Sequence, residues 1–179
     1  KKGLDFENEK LYIPIDTTPK SGSSYCENNG LLFDRAVDFL ITIDGTSQSK
    51  IQVQERYEVL RANYAKEAYG FDTYVKENIP DVDSPLFVDI DLMLQMTQLI
   101  NGEKIAEAEL FPTGRFTYGN ANPECENYNS LADFISAGDY IEIRIAWQLL
   151  NFSDPSNMQI HDDYFDDNYG IEPLNIDSI

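Results

Sequence analysis

The chain predicts a mainly β protein, folded as an antiparallel β-sandwich with one short helical insertion. Three observations predict it. Tyr140-Ile-Glu-Ile-Arg-Ile-Ala-Trp147 alternates strictly: Ile141, Ile143 and Ile145 point one way, and Glu142, Arg144 and Ala146 the other, as in a half-buried strand. Val37–Ile43 and Lys50–Gln54 are two β-rich runs separated by a turn that starts at Asp44-Gly45, the pattern of a hairpin with a long loop. Asn101-Gly102 lies between apolar segments, and both residue types tolerate the positive φ that a tight hairpin turn demands.

Taken in order, Leu11–Asp16 reads as a strand, with Pro14 at an edge or bulge because proline cannot donate to a ladder. Residues 17–30 are rich in Thr, Pro, Ser, Gly and Asn and read as a loop. Over residues 55–69 the period changes: Tyr57, Leu60, Tyr64 and Ala68 share one helical face, and Gly70 ends the helix. Residues 78–85 form a loop. Phe87–Leu92 alternates like a strand, and Lys104–Phe111 returns after the Asn101-Gly102 turn. Pro112–Asn129 is a long loop dense in Gly, Asn and Pro. Leu131–Ile135 is a short strand or a helical turn, Asp139–Trp147 the strand described above, and Leu174–Ile179 a terminal strand. Repeated short strands joined by turn-rich loops indicate a sandwich within one module spanning residues 1–179.

Composition excludes several functions. Thirteen basic residues against 32 acidic give a net charge of −19, with no Lys/Arg cluster. A phosphate backbone or an anionic membrane surface would be repelled, and no apolar run is long enough to span a membrane. The chain opens on Lys1-Lys2-Gly3 without an apolar leader, which reads as a module excised from a larger exported protein at the cell surface or outside the cell. Cys26 and Cys125 lie far apart and outside any C-x-x-C pair, so zinc and redox motifs are absent; one disulfide and two separate thiols both remain open.

Three segments carry a family resemblance. Lys10-Leu-Tyr-Ile-Pro-Ile-Asp-Thr-Thr-Pro19 looks like an early strand ending in an Asp-Thr loop. Arg35-Ala-Val-Asp-Phe-Leu-Ile-Thr-Ile43 is similar to a strand in which a small residue and an Asp precede an apolar run. Tyr140–Asn151 resembles a late strand with a Trp-Leu turn. Together they resemble family 9 carbohydrate-binding modules and the wider jelly-roll or DOMON-like sandwiches at the C-terminus of large bacterial cell-surface proteins. The resemblance implies recognition of sugar chains, often with structural calcium, and places Trp147 at a core-packing position. It also implies a strand before residue 10, which this chain lacks or receives from an upstream segment.

Sugar recognition needs flat aromatic faces flanked by planar hydrogen-bonding groups. The loops offer Tyr25, Phe116, Tyr118, Tyr128, Tyr164, Phe165 and Tyr169, with Arg115, Asn120 and Asn122 interleaved. Tyr118-Gly-Asn-Ala-Asn122 is the richest combination, so Tyr25, Arg115, Tyr118, Asn120, Asn122 and Tyr128 are the candidate ligand-binding residues. Calcium takes six to eight oxygens. The acids Asp162, Asp163, Asp166 and Asp167 are the candidate Ca2+ ligands, although no EF-hand pattern is present; the alternative is a solvated acidic loop.

Catalysis has weaker support. His161 is the single histidine, so any triad or His-based metal site would depend on it. Asn151-Phe-Ser153 matches a glycosylation sequon by pattern only, at a turn where packing explains it. The expectation is a non-catalytic module that binds a polysaccharide or oligosaccharide. The alternatives are a structural sandwich packing on neighbouring domains of the same polypeptide and a two-carboxylate glycoside hydrolase.

Overall fold

The run Phe39–Ile43 is buried at all five positions, because layers pack on both faces of the sheet it centres. A computed structural model describes residues 5, 8–58, 79–95, 97–138, 140–165 and 172–179. Its main sheet has strand order β1-β4-β5-β6, formed by β1 (Leu11–Ile15), β4 (Phe39–Ile43), β5 (Lys50–Gln54) and β6 (Phe87–Asp89). Every pairing is antiparallel. The proline-bearing β1 lies at the sheet edge among the described strands, where the missing N–H costs no ladder bond.

Alternation sorts the side chains between the two faces. Phe39, Ile41 and Ile43 of β4, with Ile51 and Val53 of β5, pack on Phe116, Phe134, Leu150, Phe152 and Ile160 in the larger core. The residues on that opposing side come from the 112–133 loop, β11 (Phe134–Ala137), the 3-10 turn Trp147–Leu150, β13 (Phe152–Asp154) and β14 (Gln159–His161). β11 pairs with β12 (Tyr140–Ile143), and β14 lies between β13 and β15 (Pro173–Asn175). Leu40 points the other way, into a smaller core with Cys26, Val37 and Phe87. The hairpin of β2 (Ser23–Cys26) and β3 (Leu31–Val37) supplies that cover. The result is a mainly β, antiparallel, sandwich-like architecture.

A two-stranded ribbon completes the described chain. β7 (Leu92–Gln95) pairs with β10 (Glu109–Phe111), and β8 (Gln98–Ile100) with β9 (Glu103–Ala106). Asn101 (φ 53°) and Gly102 (φ 83°) close it, as the Asn-Gly signal predicts. The expected strand 87–92 is divided because Ile90 turns into the core. Its carbonyl accepts the Gly114 amide at 3.0 Å and the Thr113 hydroxyl at 3.1 Å instead of continuing a ladder. The returning strand 104–111 is likewise divided into β9 and β10.

Several expectations are corrected. The supposed loop 17–30 contains β2 and leads into β3: Leu31 and Phe33 find apolar partners on the second face of the main sheet, and tertiary packing overrides the weak strand propensity of the serines. The helical insertion is represented by one 3-10 turn, Glu55–Tyr57, capped by the Gln54 side chain, which accepts from the Arg56 and Tyr57 amides. The remainder of that expected helix, including Leu60, Tyr64, Ala68 and Gly70, lies outside the described residues. The strand expected to reach Trp147 ends at Ile143. The following 3-10 turn sends Leu150 into the core and leaves Trp147 49% exposed, its ring T-shaped on Phe152 at 4.9 Å. Trp147 is therefore a lid at the core margin and not its filling.

Candidate functional site

The 117–133 loop is folded by its own polar side chains. The Asp133 carboxylate accepts the Thr117 amide at 2.8 Å, and the Thr117 carbonyl accepts the Asp133 amide at 2.8 Å. Asn120 and Tyr128 form a parallel bridge, and the Asn129 amide donates to the Asn120 carbonyl at 2.7 Å. Two asparagines make local turns of the kind their short amides favour: Asn120 Oδ1 accepts the Asn122 amide at 2.9 Å, and Asn122 Oδ1 accepts the Glu124 amide at 3.0 Å. Arg144 ties the loop to the sheet, its guanidinium donating to the carbonyls of Ser130 (2.9 Å) and Ala132 (2.7 Å).

This loop and the β11–β12 hairpin enclose a concavity of about 260 Å3, lined by Asn120, Asn122, Asp133, Glu142 and Arg144 among others. Tyr118 (37% exposed) and Tyr128 (48% exposed) belong to the same loop, and Tyr118 stands T-shaped on Phe134 at 5.3 Å. Of the six sequence-derived ligand candidates, Tyr118, Asn120, Asn122 and Tyr128 thus share one loop. The other two lie elsewhere. Tyr25 belongs to β2 in the covering hairpin, and Arg115 bridges to Lys50 at the start of β5. Of the six, Asn120 and Asn122 line the concavity; Tyr118 is next to it through its contact with Phe134, and Tyr128 through its bridge to Asn120.

Asp133, Glu142 and Arg144 were missed by the aromatic-loop argument. The signal for two of them was the alternation of residues 140–147, which puts Glu142 and Arg144 on the polar side of the strand. The remaining ring candidates divide between the interior and residues outside the description. Phe116 and Tyr164 are buried in the core, Phe165 is partly buried against it, and Tyr169 lies outside the described residues.

The two described acids of the acidic segment, Asp162 and Asp163, are each engaged by a cation. Asp162 accepts Lys20 Nζ at 2.7 Å, and Asp163 accepts Arg56 Nε at 2.7 Å. Each also accepts a backbone amide nearby, from Asp163 and Phe165 respectively. Among the described residues no three acidic, His or Cys side chains converge in a metal-holding group; Asp166 and Asp167 lie outside them. Asp162 and Asp163 alone do not make the oxygen cage that calcium requires. His161 is partly buried in β14 and not a surface group; burial lowers its pKa, and its Nδ1 has no partner among the described residues. The sequon residue Asn151 is buried, with Nδ2 donating to the Tyr57 carbonyl at 2.8 Å.

A larger groove of about 780 Å3 runs between residues 16–19, β3 and residues 175–179. Asp16, Asp34, Arg35 and Asp177 line it; among the described residues its one aromatic ring, Phe33, is packed edge-on against Phe87. Beneath it, Asp38 is fully buried, and burial pushes its carboxyl up to about 7. Cys26 and Cys125 are two separate thiols, the first buried and the second partly exposed. Among the described residues no helix is long and apolar enough to cross a membrane. Comparison of the chain with family models, curated proteins and solved structures finds no match.

Proposed function

We propose that this is a non-catalytic carbohydrate-binding module of an exported bacterial protein, and that the 117–133 loop takes the ligand. One observation carries the reading: two exposed tyrosines, Tyr118 and Tyr128, share a loop already held in shape, beside a concavity lined with carboxylate, amide and guanidinium groups. An aromatic face covers the apolar side of a sugar ring, and the planar polar groups satisfy its hydroxyls. The internal hydrogen bonds of Asn120 and Asn122 favour affinity indirectly, because a loop ordered before binding loses less entropy on binding. In this reading Asn120 and Asn122 shape the site, and Tyr118, Tyr128, Asp133 and Glu142 meet the ligand. The resemblance to family 9 modules agrees with this chemistry. The larger groove is the weaker candidate for a sugar because its ring, Phe33, is partly buried against the smaller core, whereas Tyr118 and Tyr128 are exposed.

The test is a glycan-array screen of the folded protein, followed by calorimetry of any hit with Tyr118→Ala and Tyr128→Ala. Specific binding that either variant weakens at least tenfold supports the proposal. A blank array from folded protein, or binding indifferent to both variants, overturns it. Running the array with calcium and again with chelator tests the calcium proposal separately: binding that survives chelation removes calcium from the reading and leaves the loop site intact.

A further inference from the structure

Residues 92–102 read Leu-Met-Leu-Gln-Met-Thr-Gln-Leu-Ile-Asn-Gly and contain no charged side chain, in a chain where one residue in four is charged. They supply β7, β8 and the turn of the ribbon. The returning strands carry all of the ribbon's charge: Glu103, Lys104, Glu107 and Glu109, with Lys104 paired to Glu107. Leu94, Leu99, Ile100, Ile105, Leu110 and Phe111 are each 51–57% exposed. A two-stranded ribbon with open apolar side chains is marginal in water unless a third strand or another layer joins it. Among the described residues, β7 pairs only with β10 and β8 only with β9.

Natural edge strands are normally guarded against pairing by Lys, Pro or inward charges. The β7–β8 edge has none of these guards, and β9–β10 on the far side of the ribbon has several. We infer that this edge is a self-association surface, where β7–β8 of one copy pairs antiparallel with β7–β8 of a second copy to make a four-stranded sheet.

The distribution of charge selects a second copy as the occupant. In a two-fold arrangement the uncharged strands meet at the centre, and the acidic strands become the two outer edges. Those edges are then about 14 Å apart at ~4.8 Å per strand spacing, beyond the ~8 Å screening length of physiological salt. The remaining like charge of the two molecules opposes association from a distance, so salt should strengthen this contact. On the joining strands themselves Leu94, Leu99 and Ile100 are 55–57% exposed and gain apolar cross-strand neighbours from the second copy's β7–β8. The two-fold pairing is isologous, so it closes at a dimer and does not run on into fibres.

Sedimentation velocity from low to high micromolar protein, at about 0.05 M and about 0.5 M salt, tests this. The expected result is a monomer–dimer equilibrium that tightens roughly threefold or more in the higher salt. Leu94→Lys and Leu99→Lys should each weaken it at least tenfold, whereas Leu32→Lys, on the exposed face of β3 (81% exposed), should leave it unchanged. Hydrogen exchange of the wild-type protein adds a readout independent of any variant: amides of residues 92–100 should gain protection as concentration rises. A monomer at every concentration in both salts, a dimer indifferent to both lysines, or exchange at 92–100 that does not depend on concentration overturns the inference. The same holds if those amides are protected only by a different protein.

Discussion

The Asp38 carboxylate accepts the Thr17 amide at 2.6 Å and, through the same oxygen, the Thr18 amide at 2.8 Å. Asp38 precedes β4 and the threonines follow β1, so a buried carboxyl stitches together the ends of two paired strands. The Asp-Thr loop and the Asp before the apolar run were separate motifs along the chain, and in the fold they are the two halves of one contact. The other carboxylate oxygen of Asp38 has no hydrogen-bond partner among the described residues. That loss of solvation is the main cause of the upward shift to about 7; the two amides oppose it.

A folded pKa raised above the unfolded value of 3.8 means that the folded state binds more protons between those two values. The associated stability is complete below about pH 4 and is lost as pH rises through about 7. Asp38→Asn keeps an oxygen for the amides and removes the titration. The stability of wild type relative to this variant should fall by a few kcal/mol between pH 4 and pH 8. Urea unfolding of both proteins across that range is the check, and parallel profiles would refute the assignment.

Arg56 and Asp163 form an ion pair with little solvent access, at 13% and 4% side-chain exposure. Arg56 also donates to the Pro80 carbonyl at 2.9 Å and lies over the Phe165 ring. Arg56→Met leaves Asp163 buried without its cation and should cost about 3–5 kcal/mol. Lys10→Met, which breaks the exposed pair with Asp44, should leave the stability close to that of wild type, because solvent screens an exposed pair. Chemical denaturation of both variants measures the contrast.

Gly114 is held between two elements, its carbonyl accepting the Ile51 amide at 2.8 Å and its amide donating to the Ile90 carbonyl at 3.0 Å. A methyl group there would lie 2.7 Å from the Ile51 carbonyl oxygen. Gly114→Ala should lower stability by about 1–3 kcal/mol through forced backbone movement, read as a lower thermal midpoint. An unchanged midpoint would show that the loop moves aside without cost.

The two thiols should react very differently. Burial pushes the Cys26 thiol up and removes it from solvent, and both effects suppress the reactive thiolate. Cys125 is partly exposed. Alkylation of the native protein should label Cys125 first and Cys26 only on unfolding, with intact mass showing both thiols free beforehand. An intact mass lighter by two hydrogen atoms would mean that the cysteines pair.

Asn151 adopts a left-handed conformation at φ 57° and ψ 22° and satisfies the buried Tyr57 carbonyl. Asn151→Ala should therefore cost about 2–3 kcal/mol, combining an unsatisfied buried acceptor with the loss of a residue type that tolerates this conformation. Thermal unfolding provides the measurement. A glycan at this position would require the same hydrogen bond to break.

The sequence by itself determined the fold class, the β4–β5 hairpin and the Asn101-Gly102 turn, because these depend on alternation and local dihedral preference, which act over a few residues. It also drew attention to the 117–133 loop, where Tyr118, Asn120, Asn122 and Tyr128 lie within eleven residues of one another. Tertiary structure decided what depends on distant partners. β2 and β3 exist as strands because Leu31 and Phe33 can cover the second face of the main sheet, which the serine-rich composition of residues 21–26 conceals. Trp147 lies at the core margin because Leu150, three residues later, takes the interior position. Asp162 and Asp163 read alike along the chain, yet one is paired to Lys20 and the other to Arg56, more than one hundred residues away. A carboxylate's role is set by the charge and solvent around it, and only the folded chain brings those neighbours together.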